Sequence, residues 1–138
     1  MQLNTNGIDE SNCNYLLKSF LMSYKRYYPQ ISPPVYYYTM TRRFNAIISD
    51  PATTVQMLEE DGVIVAFQIY RQTGKHSITL YMQHVKSLYT GFGFERDLIS
   101  VLPPVDLILL PVNNNKLKTT LSQLLPNVTI TICPLEIT

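Results

Sequence analysis

The lengths of the connections between apolar segments constrain this chain more than any single residue type does. Residues 55–59, 63–71 and 77–85 read as strands, alternating and rich in β-branched or aromatic side chains, with only a few residues between one and the next. Glu60-Asp61-Gly62 carries the Asp-Gly pair of a tight hairpin, and Thr73-Gly74-Lys75 turns the chain again. Connections that short force antiparallel pairing. The stretches between Val85 and Asp106 and between Leu110 and Val128 are each long enough to hold a helix, and so to carry parallel crossovers to strands over 106–110 and 128–133. One sheet must therefore contain both kinds of pairing.

Helical spacing fills the remaining segments. Cys13, Leu16, Leu17, Phe20, Leu21, Tyr24 and Tyr28 recur at three- and four-residue steps, predicting a helix that starts at Asp9-Glu10-Ser11 and ends before Pro29. Pro33-Pro34 suits the entry to a second, with Tyr37, Met40, Phe44, Ile47 and Ile48 as its stripe. Phe94, Leu98, Val101 and Leu102 mark a third, closed by Pro103-Pro104, and Leu117, Leu121, Leu124 and Leu125 a fourth. Residues 2–4 suit a short first strand. The order is β-α-α-β-β-β-α-β-α-β, an α/β chain whose mixed central sheet has helices on both faces. Its 138 residues are one domain, 1–138.

Charge limits what such a domain can bind. Eleven Lys and Arg against ten Asp and Glu leave a net charge of +1, with no field to steer nucleic acid or anionic lipid. Any anion must be held locally. No apolar run approaches the ~20 residues of a membrane span, and the polar first residues lack the pattern of a secretory signal, so a cytoplasmic protein is expected. Two cysteines, Cys13 and Cys133, and two histidines, His76 and His84, lie too far apart in sequence to suggest a metal site. Gly91-Phe92-Gly93-Phe94 matches the middle of an RNA-recognition signature, but Thr90 stands at its leading basic position and Glu95 at an apolar one, so no nucleic acid is expected.

The segment Leu88-Tyr89-Thr90-Gly91-Phe92-Gly93 falls between a strand and a helix. Glycine there permits positive φ and close approach, and the first amides of a helix have no partners of their own. Such a loop either cradles a phosphate or simply turns the chain. The element order and this loop together resemble the GCN5-related N-acetyltransferase (GNAT) family, whose pyrophosphate loop reads Gln/Arg-x-x-Gly-x-Gly/Ala after the fourth strand. Gly91 and Gly93 occupy the two small positions, and Leu88 stands at the Gln/Arg position.

That resemblance implies acetyl-CoA lying in a gap between the fourth and fifth strands. Backbone groups of Gln83 and Val85 would meet the acetyl and pantetheine portions, and amides of Leu88, Tyr89, Thr90, Gly91, Phe92 and Gly93 the pyrophosphate. An asparagine opening the fourth helix would touch pantetheine; of Asn113, Asn114 and Asn115 the choice falls on Asn114, which suits a helix cap equally well. His84, ending the fourth strand, is either a base that deprotonates an amine or a hydrogen-bonded core histidine. Family members commonly place a proton-donating tyrosine on the fourth helix, where this chain reads Lys118-Thr119-Thr120-Leu121-Ser122. Glu95 and Asp97 follow the glycines, with Lys86 and Arg96 as partial offsets. Tyr27, Tyr28, Tyr36, Tyr37 and Tyr38 suit helix packing, a substrate cleft or a surface for a second copy or assembly partner.

The expected function is acetyl transfer from acetyl-CoA to an amine of a small molecule or protein. The alternative is a non-catalytic protein of the same fold, such as a bacteriophage virion or accessory component.

Overall fold

A computed structural model describes residues 2–4 and 8–135. Its elements run β1 (Gln2–Asn4), α1 (Glu10–Lys25), α2 (Pro33–Ser49), β2 (Thr53–Glu60), β3 (Val63–Gly74), β4 (Ser77–Val85), α3 (Phe94–Ser100), β5 (Leu107–Leu110), α4 (Asn115–Leu124) and β6 (Thr129–Ile132). The six strands form one sheet in sequence order. Pairing from β1 to β4 is antiparallel, and β4–β5 and β5–β6 are parallel. The short turns require the antiparallel run from β2 to β4, and the long connections through α3 and α4 admit the two parallel pairs.

Local chemistry sets the boundaries. Asp9 caps α1, its Oδ1 accepting from the Asn12 amide at 2.8 Å, and Pro33 and Pro34 occupy the first turn of α2, where their missing N–H groups cost nothing. Asp61 and Gly62, with φ of 52° and 78°, make the two-residue hairpin between β2 and β3. β3 continues to Gly74, so the next turn falls at Lys75 and His76 rather than at Thr73-Gly74-Lys75. α3 is shorter than its apolar spacing predicts: it ends at Ser100, and Val101 and Leu102 lie beyond it.

Helices α1 and α2 cover one face of the sheet. Leu16, Phe20, Tyr24, Tyr36, Met40 and Phe44 pack there on Met57, Phe67, Ile69 and Met82. On the other face, α3 and α4 bury Leu98, Ile99 and Leu121 with Tyr70, Ile78, Leu80, Ile108 and Leu110. β5 is buried on that face only: Leu107 and Leu109 stay half-buried because α1 and α2 lie over β2 to β4. No helix among the described residues is long and apolar enough to cross a membrane.

One irregularity decides how the site is built. β3 pairs Ile69 with Met82 and Tyr70 with Leu80, which leaves Tyr81 as an extra residue in β4. Such a bulge shifts the alternation by one. Ile78 and Leu80 therefore face α3 and α4, and Met82 packs against α1 and α2. His84 does not continue the Ile78, Leu80 and Met82 face as a uniform strand would have it; its ring meets Phe67 and Tyr15 on the α1 side.

Candidate functional site

The sheet opens between β4 and β5. Their pairing covers only Ser77 to Thr79 against Leu107 to Leu109, although β4 continues to Val85. β5 stops at Leu110 because Pro111 follows, with no N–H to extend a ladder, and the Tyr81 bulge bends β4 at the same level. The carbonyl of Tyr81 accepts a hydrogen bond from the hydroxyl of Tyr24, which pins the bulge to α1. Burial raises the Tyr24 pKa well above its ordinary value, so the hydroxyl stays protonated and donating. Tyr24→Phe leaves that carbonyl without its donor and is expected to lower stability by about 1–2 kcal/mol, read by denaturant titration.

A cavity of about 270 Å³ occupies the opening, bounded by Tyr24 of α1, Tyr27 in the turn after it, Tyr81 and Gln83 of β4, and Pro111 after β5. A second, of about 190 Å³, lies further along β4 between His84, Val85, Thr90, Glu95, Lys116 and Thr120. Gln83, Asn114 and Leu117 border both, so the two adjoin. Together they run from α1 to the glycine loop.

That loop holds its glycines in the left-handed region, Gly91 at φ 86° and Gly93 at φ 83°. A short turn at Ser87–Tyr89 leads into it, Thr90 Oγ1 donates to the Ser87 carbonyl at 2.9 Å, and Gly93 stands at the N-terminus of α3. The carbonyl of Gly93 accepts from the amides of Arg96 and Asp97, whereas the amides of Gly91, Phe92 and Gly93 donate to no described group. Among the described residues, none comes within 4 Å of where a Cβ at Gly91 or Gly93 would stand. Tyr89 turns inward onto Phe94, and Leu88 and Phe92 are 85% and 70% exposed. Leu88 thus braces nothing in the loop.

The structure brings Gln83, His84, Val85, Thr90 and Asn114 to the cavities. Asn114 caps α4, its Oδ1 accepting from the Leu117 amide at 3.1 Å. His84 borders a further cavity on the α1 side with Tyr15, Lys18 and Ser19. Burial, with the Lys86 charge second, pushes its pKa below the usual 6.5, so the imidazole is neutral at pH 7. Lys86 places its ammonium 4.9 Å from the centre of the Tyr15 ring. Among the tyrosines, Tyr36 is core, Tyr28 is half-buried, Tyr27 borders the cleft, and Tyr37 and Tyr38 are exposed. Sequence reasoning missed Tyr81, whose place depends on the bulge, and Lys116, whose only signal is its position just after the asparagines that open α4.

No protein-family model matches this sequence, and no curated protein is similar to it in sequence. Solved structures are similar in fold. A Staphylococcus aureus protein assigned to the GNAT acetyltransferase family superposes with a TM-score of 0.58 at 11% identity, covering 72% of this chain and 86% of its own. Ribosomal-protein-alanine N-acetyltransferase from Brucella melitensis biovar Abortus 2308 gives 0.55 at 17%, covering 88% and 90%. The aminoglycoside N-acetyltransferase AAC(6')-Iy, solved in complex with CoA, gives 0.56 at 11%, covering 88% and 85%. This chain has the GNAT fold. Within that GNAT fold, α4 of this chain carries no tyrosine, and the tyrosines bordering the opening are Tyr24 of α1, Tyr27 after it and Tyr81 of β4.

Proposed function

We propose that this protein binds acetyl-CoA in the opening between β4 and β5 and transfers the acetyl group to an amine. The observation that carries this reading is the end of β4–β5 pairing at Thr79 and Leu109, which leaves the edge of β4 free above a cavity that continues to a loop of unpartnered amides. The GNAT-fold structures similar to it include an N-acetyltransferase in complex with CoA.

Each part of the site then has a task. Amides of Gly91, Phe92 and Gly93 hold the diphosphate, which a nest of that geometry favours. The free β4 edge supplies N–H groups that bind the arm and polarise the thioester carbonyl. His84, neutral at pH 7, takes the proton of the attacking amine as the carbon–sulfur bond breaks. The imidazolium so formed returns that proton to the departing thiolate, a role for which α4 offers no tyrosine.

Calorimetry with acetyl-CoA tests the binding, and release of free thiol in the presence of small amines or peptides tests the transfer. Because the His84 pKa lies below 6.5, the rate should hold steady through neutral pH and fall only in more acidic solution, as the ring is protonated and can no longer accept. His84→Gln should lower kcat about a hundredfold and abolish that acid limb. A variant with the parent's pH profile removes His84 as the base. The lack of a tyrosine on α4 favours a second reading, in which CoA is bound without transfer; binding with no thiol release would select it.

A further inference from the structure

Three glutamines on adjacent strands form a polar ladder across the α3 face of the sheet, and its direction is fixed from one end. Gln56 Nε2 donates to the carbonyl of Val101 at 3.1 Å, and Gln68 Nε2 to that of Leu98 at 2.7 Å. Leu98 lies in the last turn of α3 and Val101 is its C-cap; the Leu98 carbonyl also takes the Val101 amide at 3.2 Å and has a second lone pair for Gln68. A carbonyl can only accept, so each of these amides must turn its nitrogen toward α3. Gln56 Oε1 is then left to accept from Gln68 Nε2 at 2.7 Å, and Gln68 Oε1 to accept from Gln83 Nε2 at 3.1 Å. Gln56 and Gln68 are buried, so a reversed amide would set oxygen against oxygen with no water between them.

The consequence falls on the third amide. With its nitrogen committed to Gln68, Gln83 keeps Oε1 as an acceptor for which no described residue supplies a donor. Gln83 stands where the two cavities adjoin, on the α3 side of β4, whereas His84 faces α1. A ligand arm running along β4 past the point where the cavities adjoin would bring its N–H groups to the side of Gln83.

We propose that Gln83 Oε1 is a specificity-determining acceptor for an amide N–H of that arm, so that the cleft selects an acyl donor with a secondary amide at this depth over one with an alkyl arm. This rests on the acetyl-CoA reading and adds to it a side-chain contact whose direction α3 sets. The pantetheine arm of CoA carries such amides.

The test is calorimetry of the full chain with CoA and with adenosine 3′,5′-bisphosphate, which keeps the nucleotide end and lacks the arm. Gln83→Met, of similar length but without the acceptor, is expected to weaken CoA roughly tenfold and leave the bisphosphate unchanged. Gln68→Met does not touch the ligand but frees the Gln83 amide to turn, and is expected to weaken CoA about threefold, again without moving the bisphosphate. A measurement on the unaltered chain covers the case in which neither variant folds: a CoA analogue whose arm is an alkyl chain should bind about tenfold more weakly than CoA. Equal losses for both ligands, losses for neither, or an alkyl analogue as tight as CoA overturns the role of Gln83 and leaves the acetyl-CoA reading standing. A parent chain that binds neither CoA nor the bisphosphate overturns both.

Discussion

Gly91→Asp is expected to weaken acetyl-CoA binding at least a hundredfold while the protein remains folded. Gly91 sits at φ 86° with no atom within 4 Å of the position its Cβ would take, so the new side chain meets no clash. The backbone itself objects, because a side chain in the left-handed region costs about 1–2 kcal/mol. The larger effect is electrostatic. A carboxylate in the nest stands against a diphosphate, and two like charges 4 Å apart repel by about 4 kcal/mol at an effective dielectric of 20. Solvent at this exposed loop reduces that figure, and about 2.7 kcal/mol suffices for a hundredfold loss. Gly91→Ala bears the backbone cost alone and should lose no more than about tenfold. Calorimetry separates the two, and an aspartate variant that binds as well as the alanine one would show that the loop holds no diphosphate.

Phe67→Ala is expected to destabilise the fold by about 3–5 kcal/mol and to lower the melting temperature by roughly 10–20 °C. Phe67 is fully buried on the central strand β3, where it packs in the α1–α2 core and sets its ring 5.7 Å from Tyr15 and 5.5 Å from His84. Truncation removes its transfer energy and leaves a cavity under the histidine. Denaturant unfolding measures the loss. If the chain transfers acetyl as proposed, the pH profile of that transfer measures a second consequence: water entering beside His84 relieves the burial that holds its pKa down, so the acid limb should move upward toward the ordinary histidine range. Phe67→Leu fills most of the space and should cost about 1.5 kcal/mol.

The wall between these two effects is the bulge at Tyr81, which the sequence does not reveal. Alternation over Ile78, Leu80 and Met82 reads as one uninterrupted face, because hydrophobic residues stand at every second position whether or not the chain slips by one between them. The core on both sides of the sheet accepts Leu80 on one face and Met82 on the other, so the pattern is the same in either case. That slip turns His84 toward α1 and leaves Gln83 on the α3 side. Val101 and Leu102 misled for a related reason: they are apolar at helical spacing, yet α3 ends before them.

Much else was legible. Asp9, Pro33, Asp61-Gly62 and Asn114 act through backbone chemistry within a few residues, and the structure places each where that chemistry puts it. The two glycines likewise announced a loop of positive φ.

The sequence alone determined the succession of elements and the sense in which β2 to β6 pair, since periodicity, capping and connection length are short-range properties of the chain. Tertiary structure alone decided where β4 parts from β5, which cavities His84 and Gln83 border, and how Gln56, Gln68 and Gln83 join in one hydrogen-bonded ladder. Those features depend on pairing register and on which groups from distant segments are left without partners, and neither is set until the sheet and its helices have come together.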